Sequence, residues 1–480
     1  MPLSRINSLF AEIETNKGVR ATVQGSDAIA VVNPLFNGPE HEFIDDNDAR
    51  DDLDKAGSTP GRATAAPTFT TKARGSGDAA STAPETDKLF RVSGMQRANV
   101  GALDVEMTTG RLAIGQEYED TTGGARFVAL RPWGSGDAVP AVVAMTDDAG
   151  TLIDNGNISV VTGPTLAQGL KNAASASYVA SGFGYRPESS STFQHDIGSF
   201  SGTVPIVGDV VVYKRQTTTE YIGFGLVVAI VDGTSITVDL NQTDGTQATP
   251  IGAGDTIHLG KDESSGTSVS GTPTTLQGAS LTAQLYSDGE LQELVGGKGT
   301  FQFEVEAGQS GRFNWTLRGT PLNPTDAPSL VASGLPTTVA PRFINGYGEI
   351  NGIRFVTKKF TLDYGNELVD ELDGNSPSGA TGAVITDRTI TANWEIKFPG
   401  VHAGSYADFY KLMREGGDLF GGLLLGSATG NEISIVAPRM QLKSVGRVDH
   451  DGVKGLDLQM DVLARAAAGS RDESLFIAYL

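Results

Sequence analysis

The chain has 480 residues, a formal net charge of −21 and only 19% charged residues. That charge repels a polyanion such as DNA unless a basic stripe offsets it, and no such stripe occurs, so gripping of nucleic acid is not expected. The chain contains no cysteine, which excludes disulfides, thiolate metal sites and thiol nucleophiles.

The 61 glycines and the many small polar residues favour short strands and tight turns over long helices. The start, MPLSRINSLFAEIE, has neither the basic region nor the apolar region of a signal peptide. No run approaches 18 consecutive apolar residues. We therefore expect a mainly β protein that is made in the cytoplasm and stays outside membranes.

The first predicted elements are three extended segments, VRATV (19–23), AIAVV (28–32) and HEFI (41–44). DDNDARDDLD (45–54) follows with six aspartates. An EF-hand-type calcium loop needs Gly at its sixth position and Glu at its twelfth, and neither is present counting from Asp46. This favours a solvated acidic turn over a calcium site. Residues 56–83, rich in Ala, Gly, Ser, Thr and Pro, predict a long loop or flexible arm.

A short helix is predicted in APETDKLFRVSGM (83–95), because Pro84 suits a first helical position and Gly94 a C-terminal stop. After it, a Gly/Thr-rich stretch at 98–181 contains three strand candidates. These are ARFVAL (125–130), AVPAVVAM (138–145) and NISVV (157–161).

Residues 204–260 predict a more compact all-β unit. Its four strands lie in VGDVVVYKR, EYIGFGLVVAIVDG, TSITVDL and GDTIHLG, with turn signals at Asp232-Gly233 and Asp244-Gly245. This strand count resembles a small SH3-like or OB-like barrel. The Gly/Ser/Thr-rich run 264–280 predicts a linker, after which strands resume to the C-terminus.

The clearest strand pair lies in GGKGTFQFEVEAGQSGRFNWTLRG (296–319). In its first strand Phe301, Phe303 and Val305 alternate with the polar residues Gln302, Glu304 and Glu306. The second strand alternates in the same way, so one face should be buried and the other polar. Arg312 and Arg318 share the polar side; if this side lines a channel, they should either pair with carboxylates, for which Glu304 and Glu306 are the candidates, or lie beyond the edges of the channel.

A second helix is predicted in HAGSYADFYKLMREGG (402–417). Ser405 is a good N-cap with Asp408 in the capping-box position, and the two glycines 416 and 417 end the helix. The apolar stripe of this helix should cover one face of a β-sandwich.

The sequence recommends neither an enzyme nor a cofactor or metal site. The adjacent pairs His195-Asp196 and His450-Asp451 lie in turn-like surroundings, and neither a zinc motif nor a phosphate-binding glycine loop occurs. Sugar stacking by Trp133, Tyr213 or Tyr221 is an alternative to core packing, and core packing is favoured.

Several stretches together resemble the tail tube (major tail) proteins of long-tailed bacteriophages. The first is residues 14–46, which is similar to the family's first strand region. The second is APETDKLFRVSGM followed by FGYRPESSS, which resembles the family's short helix and Tyr-x-Pro-x-Ser segment. The third, 285–319, looks like the family's central hairpin, and the C-terminal half also finishes on a paired strand as in the family.

The resemblance implies a tail-tube-type β-sandwich with one flanking α-helix, interrupted by small all-β insertions. The implied organisation is a tube domain in two main parts, 1–97 and 279–480, a tube segment at 182–193, a β-rich insertion at 98–181 and a barrel-like insertion with its linker at 194–278. The family's subunits form hexameric rings that stack into a hollow tube. Its partners would be further copies, the tape-measure protein, the tail terminator and the baseplate or tip proteins.

On this resemblance the protein is a structural virion protein of the phage tail, with DNA passing through the tube without specific binding. The polar residues Gln302, Glu304 and Glu306 would line the lumen, unless that face is an exterior, solvated one. The segment 45–83 would be mobile in the monomer and become ordered against the neighbouring ring, and the insertions would face outward.

The alternatives are another virion protein, such as a tail terminator or capsid decoration subunit, or a secreted carbohydrate-active protein. The last would need an export signal and a convergent carboxylate pair.

Overall fold

The structure is a computed structural model, and its description covers the following parts of the chain. The described residues are 7–15, 17–36, 39–45, 57–77, 82–104, 111–120, 126–134, 141–145, 158–160, 177–187, 192–196, 209–214, 221–230, 235–243, 256–259, 262–268, 279–374, 376, 378–400, 408–450, 452–464 and 473–480.

Strands dominate these ranges, and both α-helices within them are short. The N-terminal strands are β1 (Asn7–Ile13), β2 (Ala28–Ile29), β3 (Val31–Leu35), β4 (Glu40–Asp45), β5 (Ser58–Thr64) and β6 (Thr68–Lys72), with a 3-10 turn at Gly25–Asp27. Helix α1 (Asp87–Val92) precedes β7 (Met95–Asp104), β8 (Arg111–Leu112), β9 (Glu117–Asp120), β10 (Arg126–Ala129), β11 (Trp133–Gly134), β12 (Ala141–Met145), β13 (Ile158–Val160) and β14 (Ser177–Pro187).

The middle of the chain contributes β15 (Thr192–Asp196), β16 (Val210–Lys214), β17 (Tyr221–Ile230), β18 (Ser235–Thr243), β19 (Thr256–Leu259) and β20 (Asp262–Ser268). The remaining elements are β21 (Leu281–Ser287), β22 (Glu290–Glu306), β23 (Arg312–Pro321), β24 (Thr325–Asp326), β25 (Tyr347–Ile350), β26 (Ile353–Arg354), β27 (Thr357–Asp363), β28 (Asn366–Leu372), β29 (Ala380–Arg388), β30 (Thr391–Lys397), α2 (Phe409–Glu415), β31 (Asp418–Leu425), β32 (Ile433–His450), β33 (Val453–Val462) and β34 (Phe476–Tyr479). The prediction of a mainly β protein is confirmed.

Most strands belong to one antiparallel sheet of 22 strands. One path through it, called the main run below, has the order β3-β6-β23-β22-β27-β30-β33-β32. The 17-residue strand β22 changes partners along its length, pairing with β21 near its start and with β27 near its end. Strands from both main parts of the predicted tube domain, 1–97 and 279–480, contribute to one hydrophobic core.

Helix α1 lies within this core. Leu89, Phe90 and Val92 are fully buried. The Phe90 ring stacks on Tyr185 with centroids 4.7 Å apart, and it meets the rings of Phe301, Phe313 and Trp315 edge-on at 5.4, 5.3 and 5.2 Å. These aromatic contacts place α1 against the apolar side of the β22–β23 pair.

The contact between Phe90 and Tyr185 joins the stretches APETDKLFRVSGM and FGYRPESSS, which the resemblance to tail tube proteins places together. Tyr185 of β14 is separated from α1 by the 98–181 segment, yet its hydroxyl donates to Asp87 Oδ1 at 2.8 Å. Burial, together with the Asp87 carboxylate, raises the pKa of Tyr185 well above its usual range. Arg97 donates two further hydrogen bonds to Asp87, at 2.9 and 2.8 Å.

The buried carboxylate of Glu14 accepts hydrogen bonds at the point where β22 departs from regular pairing with β23. The register shifts between Val295 and Lys298, which displaces the backbone N–H of Gly296 from the ladder. Glu14 accepts this N–H at 2.8 Å, the N–H of Gly18 at 2.8 Å, and the hydroxyls of Ser280 and Thr282 at 2.8 and 2.9 Å. Four donors satisfy the carboxylate, as burial requires.

The predicted short helix at 83–95 is confirmed, although α1 itself begins at Asp87. Gly94 has φ +72°, as a C-terminal stop of this kind requires. In the 98–181 segment, all three predicted strands are present as β10, β12 and β13.

The four predicted strands of the 204–260 unit are also present, as β16 to β19. They form a separate six-stranded sheet of order β15-β18-β17-β16-β19-β20. The run 264–280 was predicted as a linker, but β20 extends to Ser268 and pairs with β19, so the prediction is wrong for residues 264–268.

Several local predictions are wrong. Residues 56–83 were predicted as a loop, yet β5 and β6 lie there, and β6 pairs with both β23 and β3. Its Thr-rich composition disguised a strand whose partner lies about 240 residues away. VRATV is not a strand, whereas the N-terminal strand β1 was not predicted.

The second predicted helix is shorter than expected. Its N-cap is Asp408, whose side chain accepts the Lys411 N–H at 3.1 Å, while Ser405 lies outside the described residues. Phe409 is the buried residue of its stripe and Met413 is exposed. Helix α1 therefore contributes three fully buried residues to the core, whereas α2 contributes Phe409.

The segment 98–181 joins the large sheet directly. β7 pairs with β14, and β14 pairs with the C-terminal strand β34. The predicted boundaries at 97/98 and 181/182 fall inside β7 and β14, and the boundary at 193/194 falls inside β15. A second core cluster, with Ile114, Val128, Val436 and Phe476 among its members, packs this segment against β32 and β34.

Candidate functional site

The predicted lumen residues lie on the polar side of β22, as the alternation predicted. Gln302 and Glu306 are exposed and Glu304 is half-buried. On the opposite side Phe301, Phe303 and Val305 are only 1%, 0% and 3% exposed. The two-faced character of the strand is confirmed, and the assignment of its polar side to a lumen stays a prediction.

The polar side extends across the main run from β6 to β32, because consecutive strands are in register. At the β3 end the residue paired with Thr70 is the exposed, apolar Val32. Gln302 is paired with Asn314 of β23 on one side and with Asp363 of β27 on the other. The same row continues through the following residues: Thr70 of β6, Thr391 of β30, Asp461 of β33 and Gln441 of β32. Amides and hydroxyls dominate it, and Thr70 Oγ1 donates to Asn314 Oδ1 at 2.8 Å.

Charges of both signs are interspersed on this face. The carboxylates are Glu304, Glu306, Asp363, Glu395, Asp457 and Asp461, and the cations are Lys72, Arg312, Lys359, Lys397 and Lys443. The Lys443 ammonium lies 2.8 Å from the Asp461 carboxylate. The face is therefore close to electroneutral, and the large negative charge of the chain is located mainly elsewhere.

The two arginines of β23 have different surroundings. Arg318 donates to both carboxylate oxygens of Asp370 at 2.7 and 2.8 Å, and these hydrogen bonds raise the pKa of Arg318 above its usual value against the effect of burial. Pairing of Arg318 with Glu304 or Glu306 was therefore wrong, because Asp370 comes from β28. Arg312 is exposed and lies directly opposite Glu304 in the ladder.

The β28–β29 hairpin packs against the first half of β22 and the end of β23. Its backbone approaches β22 most closely where Gly296 meets Gly382, and a Cβ built on Gly296 would lie 2.6 Å from the Gly382 Cα. Lys17 forms an ion pair with Glu371 of the same hairpin. The polar side of β22 is thus open from about residue 300 onward and is contacted by this hairpin before it.

Residues singled out for other chemistry do not converge in the part of the chain that the structure describes. Trp133 is 7% exposed and Tyr213 is fully buried, which confirms core packing for both, while the side chain of Tyr221 lies outside the description. The acidic stretch 46–54 and the side chains of His195 and His450 also lie outside it. Within the described residues no group of three or more potential metal ligands occurs.

No helix within the described ranges is long and apolar enough to cross a membrane. Comparison with protein-family models and with curated proteins finds no match for this chain. The likeness to tail tube proteins therefore depends on the segments quoted above and on their order.

Proposed function

We propose that the chain is the tail tube subunit of a long-tailed bacteriophage, built as a tail-tube-type β-sandwich. Hexameric rings of this subunit would stack into a hollow tube that conducts DNA to the host. The observation that carries the proposal is the main run, a multi-stranded sheet with the core on one side and, from β6 to β32, a continuous polar surface on the other. The order of the family-like segments along the chain supports the same conclusion.

The edges of the main run favour assembly. Within the described residues, β3 and the 443–450 part of β32 each pair with a strand on one side only. Unpaired strand edges tend to pair with another chain, and a closed ring of subunits removes them. A ring closed edge to edge would bring the polar sides of all subunits into one continuous inner wall.

The polar side also has suitable chemistry for a conduit. Each cation that neutralises a DNA phosphate adds salt-dependent affinity, which would slow passage. On this side hydroxyls, amides and carboxylates accompany the cations, so no net positive surface is presented. Gln302, Glu304 and Glu306 are the residues we assign to the lumen.

Negative-stain microscopy of the purified protein tests the proposal. Long hollow tubes of uniform diameter are expected. Discrete rings that do not stack would instead favour a tail terminator or capsid decoration subunit, and a protein that remains monomeric at all concentrations would contradict both assignments.

The lumen assignment has its own test, because the chain has no cysteine. A Gln302→Cys variant should react with a bulky maleimide as a subunit and be protected in long tubes. Glu367→Cys, on the exposed side of β28, is the matched control for general accessibility. Equal labelling of Gln302→Cys in both states would place the polar side outside the tube.

The outward decoration is assigned to the separate six-stranded sheet. Removing only 204–260 would leave β15 and β20 without their partners, so the deletion should cover 192–268. Tubes of normal diameter from that deletion would support the assignment, and loss of folding or of stacking would count against it. The corresponding deletion of 45–83 would remove β6 from the main run, so it tests stability rather than assembly.

A further inference from the structure

The β4–β5 ribbon, called the acidic hairpin below, is exposed along β4 and at the start of β5, whereas Arg62 and Ala63 at its base contact Asp370 and Ser378. Every side chain from Glu40 to Ile44 is exposed, including Phe43 at 62% and Ile44 at 63%. Phe43 and Ile44 are consecutive in the strand and therefore point to opposite sides. A two-stranded ribbon is marginally stable in water by itself, and exposed apolar residues on both of its sides indicate that something covers it.

The acidic hairpin carries negative charge beside these apolar residues. Glu40 and Glu42 precede them in β4, and Glu42 lies 3.4 Å from the guanidinium of Arg62 in β5. The sequence that connects β4 to β5 adds five aspartates after Asp45. A partner of this ribbon must therefore combine an apolar surface with positive charge.

One such surface exists elsewhere on the molecule, and we call it the basic patch. It consists of the exposed residues Arg342, Ile344, Arg354, Val356 and Lys358. Val356 is 70% and Ile344 53% exposed. In the segment 354–358 alternate residues point outward, while Phe355 between them packs against Phe409.

Backbone hydrogen bonds hold the two segments of the basic patch side by side. The turn after β22 is hydrogen-bonded to both segments. Gly308 N–H donates to Phe343 O at 3.0 Å, and Ala307 N–H donates to Lys358 O at 2.8 Å. Arg354 donates to Gly346 O at 3.2 Å and lies over the Tyr347 ring at 4.8 Å. The patch is therefore a formed surface and not a chance grouping in sequence.

The acidic hairpin and the basic patch lie at opposite ends of the β22–β23 pair. Ala65, just after β5, bridges Gly319, whereas Arg342 bridges Ser310 beside the turn. Ser310 and Gly319 are nine positions apart along the chain, or about 30 Å at roughly 3.3 Å per residue. β5 lies before Ala65 in the chain and β6 runs from Thr68 toward the turn, so the acidic hairpin continues away from the patch. It cannot reach the basic patch of its own chain.

We propose that the acidic hairpin of one copy docks on the basic patch of the next copy along the strand direction. Different surfaces of the same chain then meet, so the contact is heterologous, and because they lie at opposite ends of the strands it can repeat from one copy to the next along the strand direction. Copies that each carry a net charge of −21 repel one another, and a local cation patch facing an acidic ribbon overcomes that repulsion at the contact. The inference rests on the proposed tube, for which it names the contact that stacks one ring on the next.

Two charge-reversal variants test the contact. Glu40→Lys with Glu42→Lys alters the hairpin, and Arg342→Glu with Lys358→Glu alters the patch. Each variant by itself should remain folded by circular dichroism and need an at least about tenfold higher concentration to assemble, since like charges would then face each other. Sedimentation velocity and negative-stain microscopy measure assembly.

Assembly of a mixture of the two variants is the strongest test of the contact. Each reversed surface then finds its complement on the other variant, so an equimolar mixture should assemble near the wild-type concentration. One chain carrying all four substitutions has the wild-type net charge and should assemble as well, which separates the contact from a general charge effect.

The outcomes distinguish this inference from the proposed function. Wild-type tubes with either variant assembling normally would overturn the inference and leave the tube assignment standing. A mixture of folded variants that fails to assemble would overturn it too. Linear wild-type oligomers without a hollow tube, broken by either variant and restored by mixing, would support the contact and overturn the tube assignment.

Discussion

The two halves of the β22–β23 pair show the same kind of sequence and different surroundings. Toward the turn, polar side chains such as Gln302 and Glu306 are exposed. Toward the other end Lys298 is only 1% exposed, and the ammonium donates to the Ala279 carbonyl at 3.1 Å. In both halves the apolar partners of the alternation, such as Phe301 and Leu317, are buried.

Alternation decides which side chains share a face, whereas distant segments decide whether that face meets water. The β28–β29 hairpin packs only against the half that contains Gly296 and Arg318. The open half is the part left for a lumen or another partner. Four sets of substitutions test the difference between the two halves.

The largest effect is expected from the buried side of the open half. Phe301→Ala should lower the free energy of unfolding by about 3–5 kcal/mol, because the ring fills the aromatic cluster around Phe90. Its neighbour Gln302→Ala should change it by less than about 0.5 kcal/mol. Chemical denaturation of both variants measures the contrast, and similar losses would show that the open half is covered on its polar side.

The next largest loss of stability is expected where the backbone of β22 meets that of the β28–β29 hairpin. Gly296 has φ +64° and no room for a Cβ, so Gly296→Ala should cost about 3 kcal/mol from strain and overpacking together. Gly308, with φ +84° and no atom within 4 Å of an added Cβ, is the matched control. Gly308→Ala should cost only about 1 kcal/mol. Equal losses in thermal or urea unfolding would mean that the hairpin does not hold β22 closely.

Substitution of the two arginines of β23 should give a smaller difference in stability between the two halves. Arg318→Met leaves the nearly buried Asp370 without its bidentate partner and should cost about 1.5–3 kcal/mol. Arg312→Met, on the exposed side near the turn, should cost less than about 0.5 kcal/mol. If the two variants unfold at the same urea concentration, the distinction between covered and open halves is wrong.

The smallest effect concerns helix α1, which closes the apolar side of both halves. Lys88 donates to Glu12 Oε2 at 2.6 Å and to Asp27 Oδ1 at 2.7 Å. Burial opposes ionisation of Asp27, but the hydrogen bonds from Lys88 and the Gln24 backbone prevail and lower the pKa of Asp27 below 3.8. The resulting stabilisation is present above about pH 4 and is lost as the pH falls through the lowered pKa.

Lys88→Met should therefore lose about 1 kcal/mol at pH 7 and approach the wild type in acid. Lys411→Met, on the surface of α2, is the control and should show no such convergence. Denaturation curves between about pH 7 and pH 2 test this, and a constant gap between Lys88→Met and the wild type would exclude the Asp27 contact as its source.

Much of the fold could be predicted because its signals are local. The alternation of Phe301, Phe303 and Val305 with polar residues predicted the two faces, and Gly94 predicted the end of α1. β6 was missed because TFTTK shows one apolar residue, and its partner β23 lies far along the chain. For the candidate site, the polar residues of β22 were predictable, whereas their neighbours on β27, β30 and β33 depend on register that no single strand contains.

Local sequence patterns were enough to predict the mainly β character, the faces of the β22–β23 pair, the position of α1 and the strands of the 204–260 unit. Long-range contacts were needed to show that Asp370 meets Arg318, that α1 contributes more buried residues to the core than α2, and that the acidic hairpin and the basic patch lie at opposite ends. The reason is the distance along the chain over which each signal acts. Periodicity and turn chemistry act over a few residues, but contacts such as Arg318–Asp370 join residues 52 positions apart with no repeating signal between them.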